Sequence, residues 1–222
     1  MKICIDAGHN YSNFGTGAVG NGLKEQDINF YIADKLKALF VSAGHSVKMT
    51  RNKLEENLGT SNSDSLYKRA SIANQFDADL FISIHCNAFN GQAKGTEVLV
   101  YQYGGKAEEY AKKIQKAIVK ELGTVDRGVK ERPNLVVLKK TKMPAVLVET
   151  AFIDNKDDAV LLKNRQHDFA KAVFEAVTGQ KADSDVTLIK SKIGLSDETI
   201  EYLKAYKYGA DLIRKIADAV RK

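Results

Sequence analysis

Two periods of hydrophobic and polar positions alternate along this chain. The stretches Ile3-Cys-Ile, Leu80-Phe-Ile-Ser-Ile and Ala145-Val-Leu-Val are short, nearly unbroken apolar runs, the pattern of strands covered on both faces. Between them, Ile28, Ile32, Leu36, Leu39 and Phe40 recur at helical spacing, with Gly44 as the stop. Leu66, Ala70, Ala73 and Phe76 mark a second helix, and Tyr110, Ile114, Ala117 and Ile118 a third within 106–122. Further strands are expected at 45–50, 96–101 and 135–138, and one or two closing helices over 157–177. Strands alternating with helices predict an α/β fold, a mostly parallel twisted sheet of about six strands with helices on both faces.

The composition shifts at Gly179-Gln-Lys-Ala-Asp-Ser, which reads as a linker. A main domain over 1–179 is therefore expected, followed by a small helical appendage over 180–222. In the appendage Ser196 is placed to cap a helix carrying Ile200, Leu203 and Tyr206, and Gly209 separates it from Leu212, Ile213, Ile216 and Val220. About 40 residues seldom hold a core alone, so this tail is expected to dock on the main domain, to self-associate, or to act as a minimal binding module.

Composition narrows the class. With 44% apolar and 28% charged residues in 222, the chain can bury a real core. No run approaches membrane-spanning length. The start offers only Lys2 and three apolar residues before Asp6, too little for a signal peptide, so synthesis in the cytoplasm without that export route is expected. Cys4 and Cys86 fall inside core strands and read as reduced, buried thiols. The net charge of +6 favours an anionic partner, and anionic wall polymers, nucleic acid and membrane surfaces all qualify on charge alone.

The chemistry is concentrated at strand ends. His9 and His85 follow apolar runs, and Glu149 ends a third. Burying such groups unpaired costs on the order of several kcal/mol, so packing explains them poorly. In open α/β sheets ligands bind beyond the carboxyl ends of the strands, and Glu25, at the start of the first helix, leaves from the same edge. Each group has a plainer reading alone: a histidine as a hydrogen-bonded loop residue, Glu25 as an acid in a helix's first turn. Together, two imidazoles and a carboxylate suit zinc with an open position for water, and a second carboxylate suits a general base. Cys86 points away from His85 by strand alternation, while His45 and His167 fall elsewhere. Gly15-Thr-Gly17-Ala-Val-Gly20 matches a dinucleotide-binding pattern, but no helix follows it directly, so nucleotide binding is not expected.

These residues carry a resemblance. Ile3-Cys-Ile-Asp-Ala-Gly-His9, Glu25-Gln-Asp27, Thr50-Arg51, Ala78-Asp79-Leu-Phe-Ile-Ser-Ile-His85-Cys-Asn87, Asp126-Arg-Gly-Val-Lys130 and Met143-Pro-Ala-Val-Leu-Val-Glu149 resemble, in order through 1–179, the zinc-dependent N-acetylmuramoyl-L-alanine amidases of the Amidase_3 type. The resemblance implies His9, Glu25 and His85 as zinc ligands and Glu149 as the catalytic glutamate. The implied reaction is hydrolysis of the amide between N-acetylmuramic acid and L-alanine in bacterial peptidoglycan, with no nucleic-acid partner. Asn87 and Arg127 are candidate substrate contacts, each with an equal reading as a strand-end cap or a loop charge. Gln26 replaces the family's usual lysine, and Thr150-Ala151 its usual Leu-Gly, departures that bear on substrate preference rather than chemistry. The whole resembles an endolysin or intracellular lysis enzyme acting on the wall after release. Two alternatives remain: another zinc peptidase cutting stem-peptide bonds, and a catalytically silent wall-binding or regulatory domain.

Overall fold

A computed structural model of the protein describes residues 1–182 and 185–220. The chain forms two compact units, Met1–Gln180 and Lys181–Lys222. In the first, β1 (Lys2–Ala7) leads through the two-residue strands β2 (Val19–Gly20) and β3 (Leu23–Lys24) into α1 (Glu25–Ser42) and β4 (Ser46–Met49). Then come α2 (Asn62–Phe76), β5 (Leu80–Asn87), β6 (Thr96–Val100), α3 (Gly105–Leu122) and β7 (Asp126–Glu131). The unit closes with α4 (Val136–Lys140), β8 (Ala145–Phe152), α5 (Lys156–Asn164) and α6 (Gln166–Thr178).

The apolar runs become the centre of a six-stranded sheet ordered β4-β1-β5-β8-β6-β7. Neighbours run parallel except β6 and β8, which pair antiparallel. That single reversal matters for function. It brings the amino ends of β6 and β7 to the rim where β1, β5 and β8 finish. On one face, Phe81, Leu99 and Leu147 pack with Ala73 of α2 and with Val137 and Leu138 of α4. Full burial of such a side chain contributes roughly 1.5–3 kcal/mol, so this layer rather than helix propensity holds α4 in place. On the other face α1 buries Ile28, Ile32, Leu36, Leu39 and Phe40, the expected stripe, and Phe40 meets Phe174 of α6 edge to face at 5.3 Å.

Three details differ from the sequence reading. The run at 135–138 is not a strand: Val136–Lys140 is helical. Four apolar residues cannot reveal their period, and one helical turn suffices to set Val137 and Leu138 on the core. The sixth strand is instead β7, a polar edge strand of sequence DRGVKE. In α2, Leu66 is 38% exposed, while Ser65 and Arg69 are buried with Ala70 and Ala73.

The second unit contains α7 (Asp185–Ile193), α8 (Asp197–Ala205) and α9 (Gly209–Val220). Ser196 caps α8 as expected, its hydroxyl accepting from the Thr199 N–H, but Tyr206 lies beyond that helix and α7 is an additional element. Ile189, Ile200, Ile213 and Ala217 form a small core of their own. Tyr202, Tyr206 and Tyr208 are exposed, and Tyr206 and Tyr208 stack edge to face at 5.8 Å. Among the described residues, no helix is long and apolar enough to cross a membrane.

Candidate metal centre and its flanking carboxylates

The rim gathers His9, Glu25 and His85, whose ligand atoms lie within 4.8 Å of one another. His9 does not end β1 itself. It stands two residues later with φ 67°, a left-handed conformation that a side chain other than glycine adopts only under constraint. The constraint is visible in the hydrogen bonds around it. Arg69 donates to the carbonyls of Ala7 (2.8 Å) and His9 (2.6 Å) and to Asn10 Oδ1 (3.0 Å), and Arg51 donates to the carbonyls of Ala7 (3.2 Å) and Gln26 (2.7 Å). Two buried guanidiniums thus knit the end of β1 to the start of α1. Asp6 neutralises Arg69 at 2.6 Å and also accepts hydrogen bonds from Thr50 and Ser83.

The imidazoles are oriented as well as placed. His9 Nδ1 lies 3.1 Å from the Gly15 carbonyl, and its Nε2 faces Glu25 Oε1 at 3.0 Å. His85 Nδ1 faces the same oxygen at 3.0 Å. The two rings meet edge to face, centroids 4.7 Å apart. Glu25 is fixed by the backbone N–H groups of Cys86 on Oε1 and Ala18 on Oε2. Gly17, within the glycine pattern at 15–20, therefore forms part of the wall of this centre. A side chain at Gly17 would place its Cβ 2.6 Å from that of Glu25 and 2.9 Å from the His9 ring, and one at Gly8 would lie 2.3 Å from His85 Nε2.

The donor set fits a divalent cation. Burial would raise the Glu25 pKa, but hydrogen bonds and charge interactions with His85 and His9 hold its carboxyl well below the usual range. Burial pushes the His85 imidazole below its ordinary value despite the neighbouring Glu25 carboxylate. An ionised carboxylate and neutral imidazole are the forms in which these groups bind metal. Two ring nitrogens aimed at one carboxylate oxygen make a site that a single cation satisfies.

Glu149 flanks this group. It is the register partner of His85 on one side and of Glu97 on the other. Its Oε2 is buried with no hydrogen-bond partner among the described residues. Burial, with the charges of Glu25 and Glu97 nearby, pushes its carboxyl well above the usual range. Of the candidate substrate contacts, Asn87 donates to Glu97 Oε1 (3.2 Å) and accepts from the Ala88 N–H, and Arg127 Nε donates to Glu97 Oε2 (2.8 Å). At the two departures, Gln26 accepts from the Gly17 N–H, and the Thr150 hydroxyl donates to the His85 carbonyl. His45, at the opposite edge, packs on Phe40, and His167 is buried in α6.

Fold and site together define an α/β protein with a His–Glu–His donor cluster and an adjacent buried carboxyl at one sheet rim. Residues 3–179 match the family model described as N-acetylmuramoyl-L-alanine amidase, Amidase_3. The chain belongs to this family. It is 40% identical over 171 residues to the endolysin of Bacillus phage SPP1, a match covering 72% of this chain and 58% of that one. It is 38% identical over 165 residues to the N-acetylmuramoyl-L-alanine amidase LytC of Bacillus subtilis strain 168, covering 72% of this chain and 31% of LytC. The chain thus matches between about a third and three fifths of these relatives' lengths. Among solved structures, the CwlD amidase of Clostridioides difficile, in complex with the GerS lipoprotein, superposes with a TM-score of 0.74 at 28% identity over 80% of this chain and 96% of that one. The catalytic domain of the CD27L endolysin, which targets Clostridia difficile, gives 0.73 at 32% identity over 82% and 99%.

Sequence reading missed Asp6, Arg69 and Glu97 as parts of the site. The first two were hidden because a charged side chain in a strand or on a helix gives no local sign of burial. Glu97 was hidden because its strand runs opposite to β8, which turns its second residue into a rim residue.

Proposed function

We propose that this chain hydrolyses the amide joining the lactyl group of N-acetylmuramic acid to L-alanine in peptidoglycan, with zinc held by His9, Glu25 and His85. The observation that carries the reading is the convergence of those three donors beside Glu149, whose Oε2 has no hydrogen-bond partner among the described residues. When bound, zinc supplies Lewis acidity toward the scissile carbonyl and the attacking water. Glu149 accepts the water's proton and returns it to the leaving L-alanine nitrogen. Such proton transfer contributes typically 10²–10⁴-fold. The Gly8 and Gly17 backbones let the loops close on the ligands, while Arg51 and Arg69 hold His9 in its left-handed conformation.

On this reading residues 1–179 hold the chemistry, acting on the wall as in lysis. The tail serves as an accessory module for wall targeting or self-association. Mass spectrometry of digested peptidoglycan tests the reaction. A new L-alanine N-terminus is expected; new termini elsewhere in the stem would indicate a peptidase, and no cleavage a silent binder.

A further inference from the structure

β7 does something its alternation forbids. Arg127 and Lys130 are three residues apart, so a regular strand would send them to opposite faces. Here both reach Glu97 Oε2, Arg127 Nε at 2.8 Å and Lys130 Nζ at 2.5 Å. The cause is a bulge. Thr96 pairs with Asp126 and Val98 with Val129, so three steps on β7 oppose two on β6, and the extra residue is absorbed where Gly128 takes φ 77°.

Glu97 is buried, and burial would raise its pKa, but Lys130 and Arg127 hold its carboxyl below the usual range. Two cations therefore share one carboxylate, leaving one unmatched positive charge. The Arg127 guanidinium lies over the Phe152 ring at 4.8 Å, and no described residue accepts from its Nη1 or Nη2. Side-chain exposure is 33% for Arg127 and 31% for Lys130, so both cations are immobilised yet open to solvent. The register of His85 with Glu149 and Glu149 with Glu97, followed by Arg127 on β7, sets these residues on four successive strands. At about 4.8 Å per strand, Arg127 stands roughly 10 Å from Glu149, the span of about two or three peptide residues.

We infer that Arg127 and Lys130, held by Glu97, form a carboxylate-recognition site for the stem peptide on the L-alanine side of the scissile amide. This rests on the amidase reading. The ligand that fits is the free α-carboxylate of the second stem residue, a glutamate linked through its side-chain carboxyl, in preference to the same residue amidated. Arg127 supplies a planar fork suited to a carboxylate, and Phe152 restricts its rotation. Glu97 is a positioning residue that acts through both cations.

The test compares two soluble muropeptides, identical except for a carboxylate or a carboxamide at that position, with the zinc-loaded full chain. Wild type is expected to prefer the carboxylate by on the order of 10- to 100-fold in kcat/KM, the worth of one charge-assisted hydrogen bond. In Arg127→Gln that ratio should fall toward one, and in Lys130→Gln it should fall in part. Binding of the two muropeptides to Glu149→Gln, followed by calorimetry, should show the same preference without turnover. A wild-type ratio near one overturns the inference, and so does an unchanged ratio in a folded Arg127→Gln. If Arg127→Gln fails to fold, the wild-type ratio and Lys130→Gln decide. Cleavage of neither substrate at the L-alanine amide would instead sink the amidase reading itself.

Discussion

His85 and Glu149 are register partners on neighbouring parallel strands, so the imidazole of a candidate ligand and a carboxyl with an unpartnered oxygen leave the sheet side by side. Neither residue can shift along its strand without a two-residue slip, because a one-residue slip would turn every side chain over. The spacing between the donor cluster and the Glu149 carboxyl is thus fixed by the ladder.

From this follows the behaviour of Glu149→Gln. An isosteric amide breaks no hydrogen bond at Oε2, so fold and zinc content should match wild type, while turnover falls by about 10²- to 10⁴-fold. Steady-state hydrolysis of a soluble muropeptide, alongside circular dichroism and metal analysis, checks this. Near-wild-type turnover would reject the assignment.

Purified protein should carry about one zinc per chain, lose it in chelator together with activity, and regain both when zinc is restored. Metal analysis of active protein that contains no zinc would remove His9, Glu25 and His85 from that role.

Gly17→Ala probes the wall of the centre. The new methyl would sit 2.6 Å from Glu25 Cβ, so the loop or the ligand must move. A stability loss of roughly 1–3 kcal/mol is expected, together with weaker zinc binding. Unchanged zinc affinity in a competition titration would show that the loop does not brace the ligands.

Asp6 makes stability depend on acid in a defined direction. Burial would raise its pKa, but Arg69, Ser83 and Thr50 bring it below the ordinary value. Its contribution is therefore complete above the unfolded carboxyl pKa of about 3.9 and is lost as pH falls through the lower folded value. Asp6→Asn leaves Arg69 buried without its counter-ion, a loss of roughly 3–5 kcal/mol at neutral pH. The gap in Tm between wild type and variant should narrow below about pH 3.9. Parallel Tm curves from pH 2 to 6 would show that this pair is not the acid-sensitive element.

A chain ending at Gly179 keeps the left-handed glycine that closes α6 and the whole of the first unit's sheet. It should hydrolyse small soluble muropeptides nearly as well as the full chain, and bind or lyse whole cells less well. Unfolding of the truncated chain, or loss of its activity on the small substrate, would place the tail within the catalytic fold.

What the sequence determined by itself was the part written in local periodicity. The unbroken runs of β1, β5 and β8 and the stripe of α1 need only their own residues to declare a buried strand or a half-buried helix, and His9, Glu25, His85 and Glu149 follow as polar groups placed where such elements end. The same reasoning failed wherever burial depends on a distant partner. Arg69 is 2% exposed only because Asp6, on another element, neutralises it, and a charged residue on a helix otherwise reads as solvated. Leu135 to Leu138 is too short to show a period, so the surface it meets, not its own pattern, selects a helix. β7 is polar and takes its place by pairing with β6, whose reversed direction no local pattern encodes. Tertiary structure alone decided that Glu97, Arg127 and Lys130 meet beside Glu149, because a bulge at Gly128 and an antiparallel pairing are agreements between strands rather than properties of either one.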